Sequence, residues 1–339
     1  MKTTNFKELK TDLSTPKNIV IIPHKNPDGD AMGSTLALRN YLLNTHENVT
    51  VITPNDYPSF LKWLPGDDSV IIYENQSLQA NELIAKADYI FTLDFNHLGR
   101  CGDLQIPLES AKAIFVMIDH HQQPGDYAKY TYSDPEMCST CEMIYHFMDK
   151  MDDLHLLNAE IATCLYTGIM TDTGSFRYRS TTSTTHRVVA HLIDAGADNT
   201  SIHENIYDIN TLNKLKLKGV ALENLHLIPE FRTAYITFTQ KELNDHNFKK
   251  GDTEGFVNIG LSIENIIFAV IFIENEAENI IKMSFRSKGS FSVNEFARTH
   301  FEGGGHNNAA GGKSDESLAV TIEKFISILP NYKNELQKS

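Results

Sequence analysis

Three apolar runs in the first half of the chain end in residues of types that can ligate metals. Residues 18–23 (NIVIIP) lead into His24, which is followed by Asp28 and Asp30 in HKNPDGD. Residues 89–93 (YIFTL) lead into Asp94, and residues 113–118 (AIFVMI) lead into Asp119, His120 and His121. Carboxylates mixed with imidazoles suit Mn²⁺, Fe²⁺, Co²⁺ or Zn²⁺ better than Mg²⁺ or Ca²⁺, which favour all-oxygen shells. So many carboxylates in one place repel unless cations neutralise them. Two divalent ions about 3.5–4 Å apart, sharing a bridging carboxylate, would do so, and would lower the pKa of a water positioned to attack phosphorus in line. Asp28 and Asp30 alternate, which in an extended loop puts them on one face, with Gly29 permitting a tight bend. Each fragment alone has a plainer reading. Pro27-Asp28-Gly29 is turn chemistry, a lone Asp ending a strand can cap or accept, and His24 or the His-His pair can be structural. The argument for chemistry is that three strand ends carry such residues at once.

The elements that must position these residues alternate in type. Strand patterns at 17–24, 48–54, 69–74, 88–95 and 112–121 are interleaved with helical patterns at 31–43, 81–87 and 142–150, and further helices are expected at 158–170 and 183–195. Strands apolar on both faces and separated by helices predict an α/β fold, a parallel sheet with helices on both faces. Ligands in such sheets bind beyond the carboxyl ends of the strands, so neighbouring strands would bring the three groups together. A polar, turn-rich stretch at 196–212 reads as the linker between a first domain, 1–195, and a second, 213–339. The second half reads as a smaller α+β domain, with a helix at 214–228, strands at 231–240, 265–274 and 279–287, and a last amphipathic helix at 316–329. Between them, GGGHNNAAGG (303–312) reads as a glycine-rich loop whose N–H groups could form an anion nest. His306 could stack on a base or bond a phosphate, and Arg286 in SFRS could clamp a phosphate with both nitrogens. A flexible loop is the plainer reading.

Bulk properties narrow the class. A length of 339 residues and a hydrophobic fraction of 41% suit two soluble domains. No apolar run is long enough to span a bilayer, and the N-terminus has no signal-peptide core, so a cytoplasmic protein without a membrane partner is expected. Cys138 and Cys141 form a CxxC with no second ligand pair for zinc. They lie in a stretch, 135–150, that reads as a helix with Met137, Cys141 and Ile144 near one face, so buried thiols are expected. The net charge of −14 argues against a grip on long nucleic acid, which needs a basic surface. A phosphate-bearing substrate would be small and held locally.

Taken in order, HKNPDGDAMGS, LDF, DHH and TDTGSF resemble the four phosphoesterase motifs of the DHH superfamily. GGGHNNAAG with SFRS resembles its DHHA1 companion domain, and the resemblance runs from about residue 18 to 328. Within the superfamily, a chain of this size is similar to the oligoribonuclease and pAp-phosphatase group. The resemblance implies a DHH catalytic domain, a DHHA1 substrate-binding domain and two divalent metal ions, most often Mn²⁺. One ion would sit on His24, Asp28 and Asp94, the other on Asp30, Asp94, His120 and Asp172, with Asp94 bridging. Asp172 enters through the resemblance alone. His121 would act at the scissile phosphate or leaving group, and Asp119 would orient a histidine. Arg286, Ser287, Gly303, Gly304, Gly305 and His306 would hold the substrate, with His306 near the base.

The implied reaction cuts short RNA to nucleoside 5′-monophosphates and removes the 3′-phosphate of adenosine 3′,5′-bisphosphate (pAp), with the interdomain cleft acting as a length ruler. Short RNA or nucleotides, not long duplexes, are the expected partners, and a homodimer is open. The alternatives are a cyclic-dinucleotide phosphodiesterase, a RecJ-like exonuclease, which the chain's size and acidity disfavour, and an inorganic pyrophosphatase, which the GGGH loop disfavours. A non-catalytic nucleotide sensor would be expected to lack a ligand, and none is missing.

Overall fold

The computed structural model describes residues 5–338. They form two compact units that divide between Ile209 and Asn210. In the first, six strands make one all-parallel sheet in the order β3-β2-β1-β4-β5-β6. They are β1 (Asn18–Ile22), β2 (Asn48–Thr53), β3 (Ile71–Ile72), β4 (Tyr89–Leu93), β5 (Ile114–Asp119) and β6 (Tyr130–Ser133). Alternate residues of β1 serve two different cores: Ile19 and Ile21 face one, Val20 and Ile22 the other. Both faces are thus buried, which is why the strands read as continuous apolar runs. Helices Gly29–Leu42, Thr140–Lys150, Ala159–Asp172 and Ser183–Asp194 supply the first core, and Tyr73–Lys86 with the helical segment 98–109 supplies the second. The chain moves outward from β1 to β3, then returns to place β4 on the other side of β1. That reversal opens a crevice at the carboxyl ends of β1 and β4.

Two helices meet closely below this crevice. A Cβ on Gly33 would fall 2.5 Å from the Cys164 carbonyl oxygen, and one on Gly168 would fall 2.1 Å from Cys141 Sγ. Helix Gly29–Leu42 and helix Ala159–Asp172 can therefore approach each other, and Cys141, only with glycine at both positions.

Several elements differ from the sequence reading. β3 is cut to two residues because helix Tyr73–Lys86 begins directly after it. β6 has no apolar run, only Tyr130 of its four residues being buried, so periodicity gives no sign of it. The helix read over 135–150 starts at Thr140, where the Ser139 hydroxyl accepts the Glu142 N–H as an N-cap, and Met137 and Cys138 lie outside it. All four cysteines are free and buried. Most of 196–212 is occupied by helix Asn199–Tyr207.

The second unit is a mixed six-stranded sheet in the order β11-β12-β10-β9-β8-β7, antiparallel except between β8 and β9. Its strands are β7 (Leu225–Ile228), β8 (Thr233–Phe238), β9 (Phe268–Asn275), β10 (Ile280–Ser287), β11 (Gly304–His306) and β12 (Ala309–Ser314). The helix read over 214–228 ends at Glu223, and its last residues form edge strand β7. One face carries a phenylalanine core with helices Val293–His300 and Leu318–Ile328, and the other is covered over β8 and β9 by helices Leu212–Glu223 and Val257–Leu261. The glycine-rich segment is a hairpin and not a loop, with Gly304 opposite Gly311 and His306 opposite Ala309.

Candidate metal centre

The ends of β1, β4 and β5 carry the sequence candidates to one place. His24 follows β1, and its Nδ1 pairs with the Lys25 carbonyl at 2.8 Å, leaving Nε2 to face Asp94 Oδ2 at 3.4 Å and Asp28 Oδ2 at 4.0 Å. Asp28 is the N-cap of helix Gly29–Leu42: its Oδ1 accepts the N–H groups of Asp30 and Ala31, both at 3.1 Å. One oxygen thus fixes the helix while the other turns toward His24. Asp28 and Asp30 do not share a face of an extended loop, because Asp30 is already in the first helical turn. Gly29 is helical too. It is needed there because a Cβ would fall 2.3 Å from Thr171 Oγ1.

Asp30 points to a second group. His120 Nε2 lies 3.7 Å from Asp30 Oδ2, 3.5 Å from Asp94 Oδ1 and 3.6 Å from Asp172 Oδ2. His120 Nδ1 faces the Met137 carbonyl at 3.2 Å, so with its proton on Nδ1 the ring directs the Nε2 lone pair at the three carboxylates. Asp172 closes helix Ala159–Asp172, a place that spacing could not single out. Asp94 stands between the two groups, with Oδ2 toward His24 and Oδ1 toward His120. A carboxylate so placed could be shared by two ions.

A residue that sequence reasoning passed over holds this arrangement. The Thr140 hydroxyl donates to Asp94 Oδ1 at 3.0 Å, and its backbone N–H donates to Asp30 Oδ2 at 2.7 Å. The Cys141 N–H donates to Asp30 Oδ1 at 2.8 Å. The amino end of helix Thr140–Lys150, positive by its dipole, thus faces the buried carboxylates of Asp30 and Asp94. The available signal was Ser139-Thr-Cys-Glu142, a helix-start pattern in the stretch that follows the third strand-end group and β6.

His121 Nδ1 lies 2.7 Å from Asp119 Oδ1 and 3.7 Å from Asp94 Oδ1, while Asp119 Oδ2 is buried without a hydrogen-bond partner. The charges of the cluster do not balance without cations. Burial, then Asp94 and Asp172, push the Asp30 carboxyl well above the usual range. Burial opposes ionisation of Asp94, but His120 and His24 hold it well below that range. Burial likewise opposes charge on His120, and Asp94, Asp172 and Asp30 together raise it well above an ordinary histidine. Cations placed among these carboxylates would relieve their mutual repulsion. Two triads, His24–Asp28–Asp94 and Asp30–His120–Asp172, each bring one donor atom per residue within 4.8 Å of the others, as does Asp94–Asp119–His121. The donor set fits divalent transition ions.

In the second unit, Arg286 pairs with Ala309, and Ala309 pairs with His306. Directly opposed residues share a face, so Arg286 and His306 rise from the same side of the sheet with a small residue between them. Arg286 also lines a cavity of about 240 Å³ with Ser284, Ile271 and Glu254. Ser287 is buried: its hydroxyl donates to the Phe291 carbonyl at 2.6 Å and accepts from Asn308 Nδ2 at 2.8 Å. The N–H groups of Gly303 and Gly305 donate to the Ala297 carbonyl and to Asn294 Oδ1. They tie the hairpin to helix Val293–His300 and are not open to an anion. A Cβ on Gly303 would fall 1.9 Å from the Gly311 carbonyl oxygen, which accounts for glycine there.

Residues 18–169 match the model of the DHH family, N-terminal domain, and residues 233–334 match the DHHA1 domain. The chain is 28% identical over 312 residues to the probable bifunctional oligoribonuclease and PAP phosphatase NrnA of Streptococcus mutans, covering 92% of this chain and 94% of that protein. It is 27% identical to the bifunctional oligoribonuclease and PAP phosphatase NrnA of Bacillus subtilis, covering 90% of this chain and 91% of that one. Among solved structures it superposes on an exopolyphosphatase-related protein from Bacteroides fragilis with a TM-score of 0.94 and 36% identity, over 99% of both chains. No helix of the described residues is long and apolar enough to cross a membrane.

Proposed function

Because the chain belongs to the DHH family, ends in a DHHA1 domain and is thereby a hydrolase of phosphate esters, we propose that it degrades short oligoribonucleotides to nucleoside 5′-monophosphates and removes the 3′-phosphate of pAp. Two divalent ions, manganese foremost, would serve it. The observation that carries the two-ion reading is Asp94, whose two oxygens face two different histidines. His24, Asp28 and Asp94 would hold one ion, and Asp30, Asp94, His120 and Asp172 the other. When bound, the ions supply Lewis acidity and an activated water for in-line attack on phosphorus. His120, held at Nδ1, keeps its other nitrogen aimed at the carboxylates. His121, held on Asp119, offers Nε2 to the scissile phosphate or the leaving oxygen. Arg286 and His306 would bind the substrate's phosphate and base, while Ser287 and Gly303, Gly304 and Gly305 shape the hairpin that carries His306.

The oligoribonuclease and PAP phosphatase relatives support this choice of substrate. The exopolyphosphatase-related protein favours a second reading, polyphosphate hydrolysis, and the same metal residues would serve a cyclic-dinucleotide phosphodiesterase. A panel with Mn²⁺ separates them: pAp, pApA, pGpG, c-di-AMP and inorganic polyphosphate. Fastest turnover is expected on pAp and the linear dinucleotides. A preference for polyphosphate or c-di-AMP would replace the proposal with the corresponding alternative.

A further inference from the structure

Directly beyond Asp172, the backbone enters a conformation that residues other than glycine rarely adopt. Gly174, Ser175 and Phe176 are all left-handed, with φ of 57°, 60° and 64°. Runs of this kind persist only where the surroundings over-determine them, and they concentrate at functional sites. Here the surroundings are explicit. The Phe176 N–H donates to Thr173 Oγ1 at 3.0 Å, and the Thr173 carbonyl accepts from both Arg177 and Tyr178. Ser175 Oγ lies 3.1 Å from His203 Nε2, whose Nδ1 is held on the Asn199 carbonyl at 2.7 Å. The Phe176 ring packs edge-on against Tyr166.

The turn has one outward product. The ring of Tyr178 folds back over Gly174, occupying the space a side chain there would need, since a Cβ would fall 2.5 Å from Tyr178 Cζ. Tyr178 is nonetheless 43% exposed. Arg177 and Arg179 on either side of it are exposed as well, and Arg177 Nε is tied to the Gly174 carbonyl at 2.7 Å. In a chain of net charge −14, an exposed Arg-Tyr-Arg segment starting five residues after Asp172 departs from the general surface. Aromatic faces flanked by arginines are how proteins hold single-stranded nucleic acid without reading its sequence.

We propose that Tyr178 is a stacking platform for a nucleobase of the substrate next to the metal centre, with Arg177 and Arg179 binding the adjoining phosphates. The proposal rests on the nucleotide-cleaving reading above and deepens it. The turn gives the enzyme a base-dependent handle on its catalytic side, so that a phosphate ester without a base is bound poorly.

The test uses the full chain with Mn²⁺ and four substrates: pApA, its two analogues with either nucleotide abasic, and bis(p-nitrophenyl) phosphate. Tyr178→Ala should raise the KM for pApA about tenfold, in line with the worth of one base–aromatic stack, with much less change in kcat. Tyr178→Phe, which keeps the ring, should restore the wild-type KM. On one of the two abasic analogues, wild type and Tyr178→Ala should have closely similar KM, because the base that stacks is gone. An unchanged KM for pApA in Tyr178→Ala, with a thermal midpoint matching wild type, would overturn the platform. So would an equal loss on both abasic analogues, which points to a general structural effect. If wild type cleaves bis(p-nitrophenyl) phosphate but not pApA, the nucleotide reading itself fails, a result distinct from either of these.

Discussion

Asp94 combines a strained backbone with a double role. Its φ of 63° lies in the left-handed region, which Asp and Asn tolerate better than most residues. Its N–H is held by the Ile118 carbonyl, and its side chain by Thr140. Asp94→Asn keeps the backbone tolerance and removes the charge that two ions would share, so it should abolish activity in the substrate panel while circular dichroism stays native. Retained turnover would refute the bridging assignment. Thr140 makes a subtler prediction, because it positions Asp94 without facing substrate. Thr140→Val preserves shape but loses the hydroxyl, and should weaken Mn²⁺ binding by about 10- to 100-fold in calorimetry, the usual effect of losing an outer contact to a ligand. Thr140→Ser should restore binding. Equal metal affinity in the valine variant would reduce Thr140 to a packing residue.

At the scale of elements, the centre depends on how closely three helices can meet. Gly168 is the tightest point, since an added Cβ would fall 2.1 Å from Cys141 Sγ and 2.9 Å from Asp30 Oδ1. Gly168→Ala should cost about 1–3 kcal/mol of stability in urea unfolding, the range for overpacking, and should also lower metal affinity, because relief moves Asp30. Loss of stability with unaltered metal binding would show that the strain relaxes elsewhere. None of this close packing is written in local pattern. The apolar strands were legible because burial on both faces leaves a continuous signature, and their ends located His24, Asp94 and His120. Asp172 had no such signature, for it ends a helix whose orientation is set by the packing of Gly33 and Gly168. β6 and the hairpin of β11 and β12 escaped for the opposite reason. These strands are short and lack an apolar run, β11 and β12 being rich in glycine, and only pairing with a neighbour defines them as strands.

Across the whole molecule, charge should govern substrate length. With 44 acidic against 30 basic residues, each further phosphate of a long strand meets a repelling surface and gains no counterion release. Hydrolysis of two- to five-nucleotide RNA should therefore be much faster than that of a long single strand at low salt. Because repulsion between exposed charges is screened by salt, the gap should narrow as NaCl rises from about 20 to about 300 mM. A gap that ignores salt would assign length selection to shape and not to charge.

The Asp28 carboxylate has a consequence for the life of the protein in the cell. Its one oxygen caps the start of helix Gly29–Leu42 and its other faces His24, so an ion held there would favour the ordered turn. A ligand that binds only the ordered form protects it by mass action. Under metal starvation the first turn would open more often, and proteases would find it. Abundance, not just activity, would then follow the metal supply, with the half-life of the chain serving as the gauge.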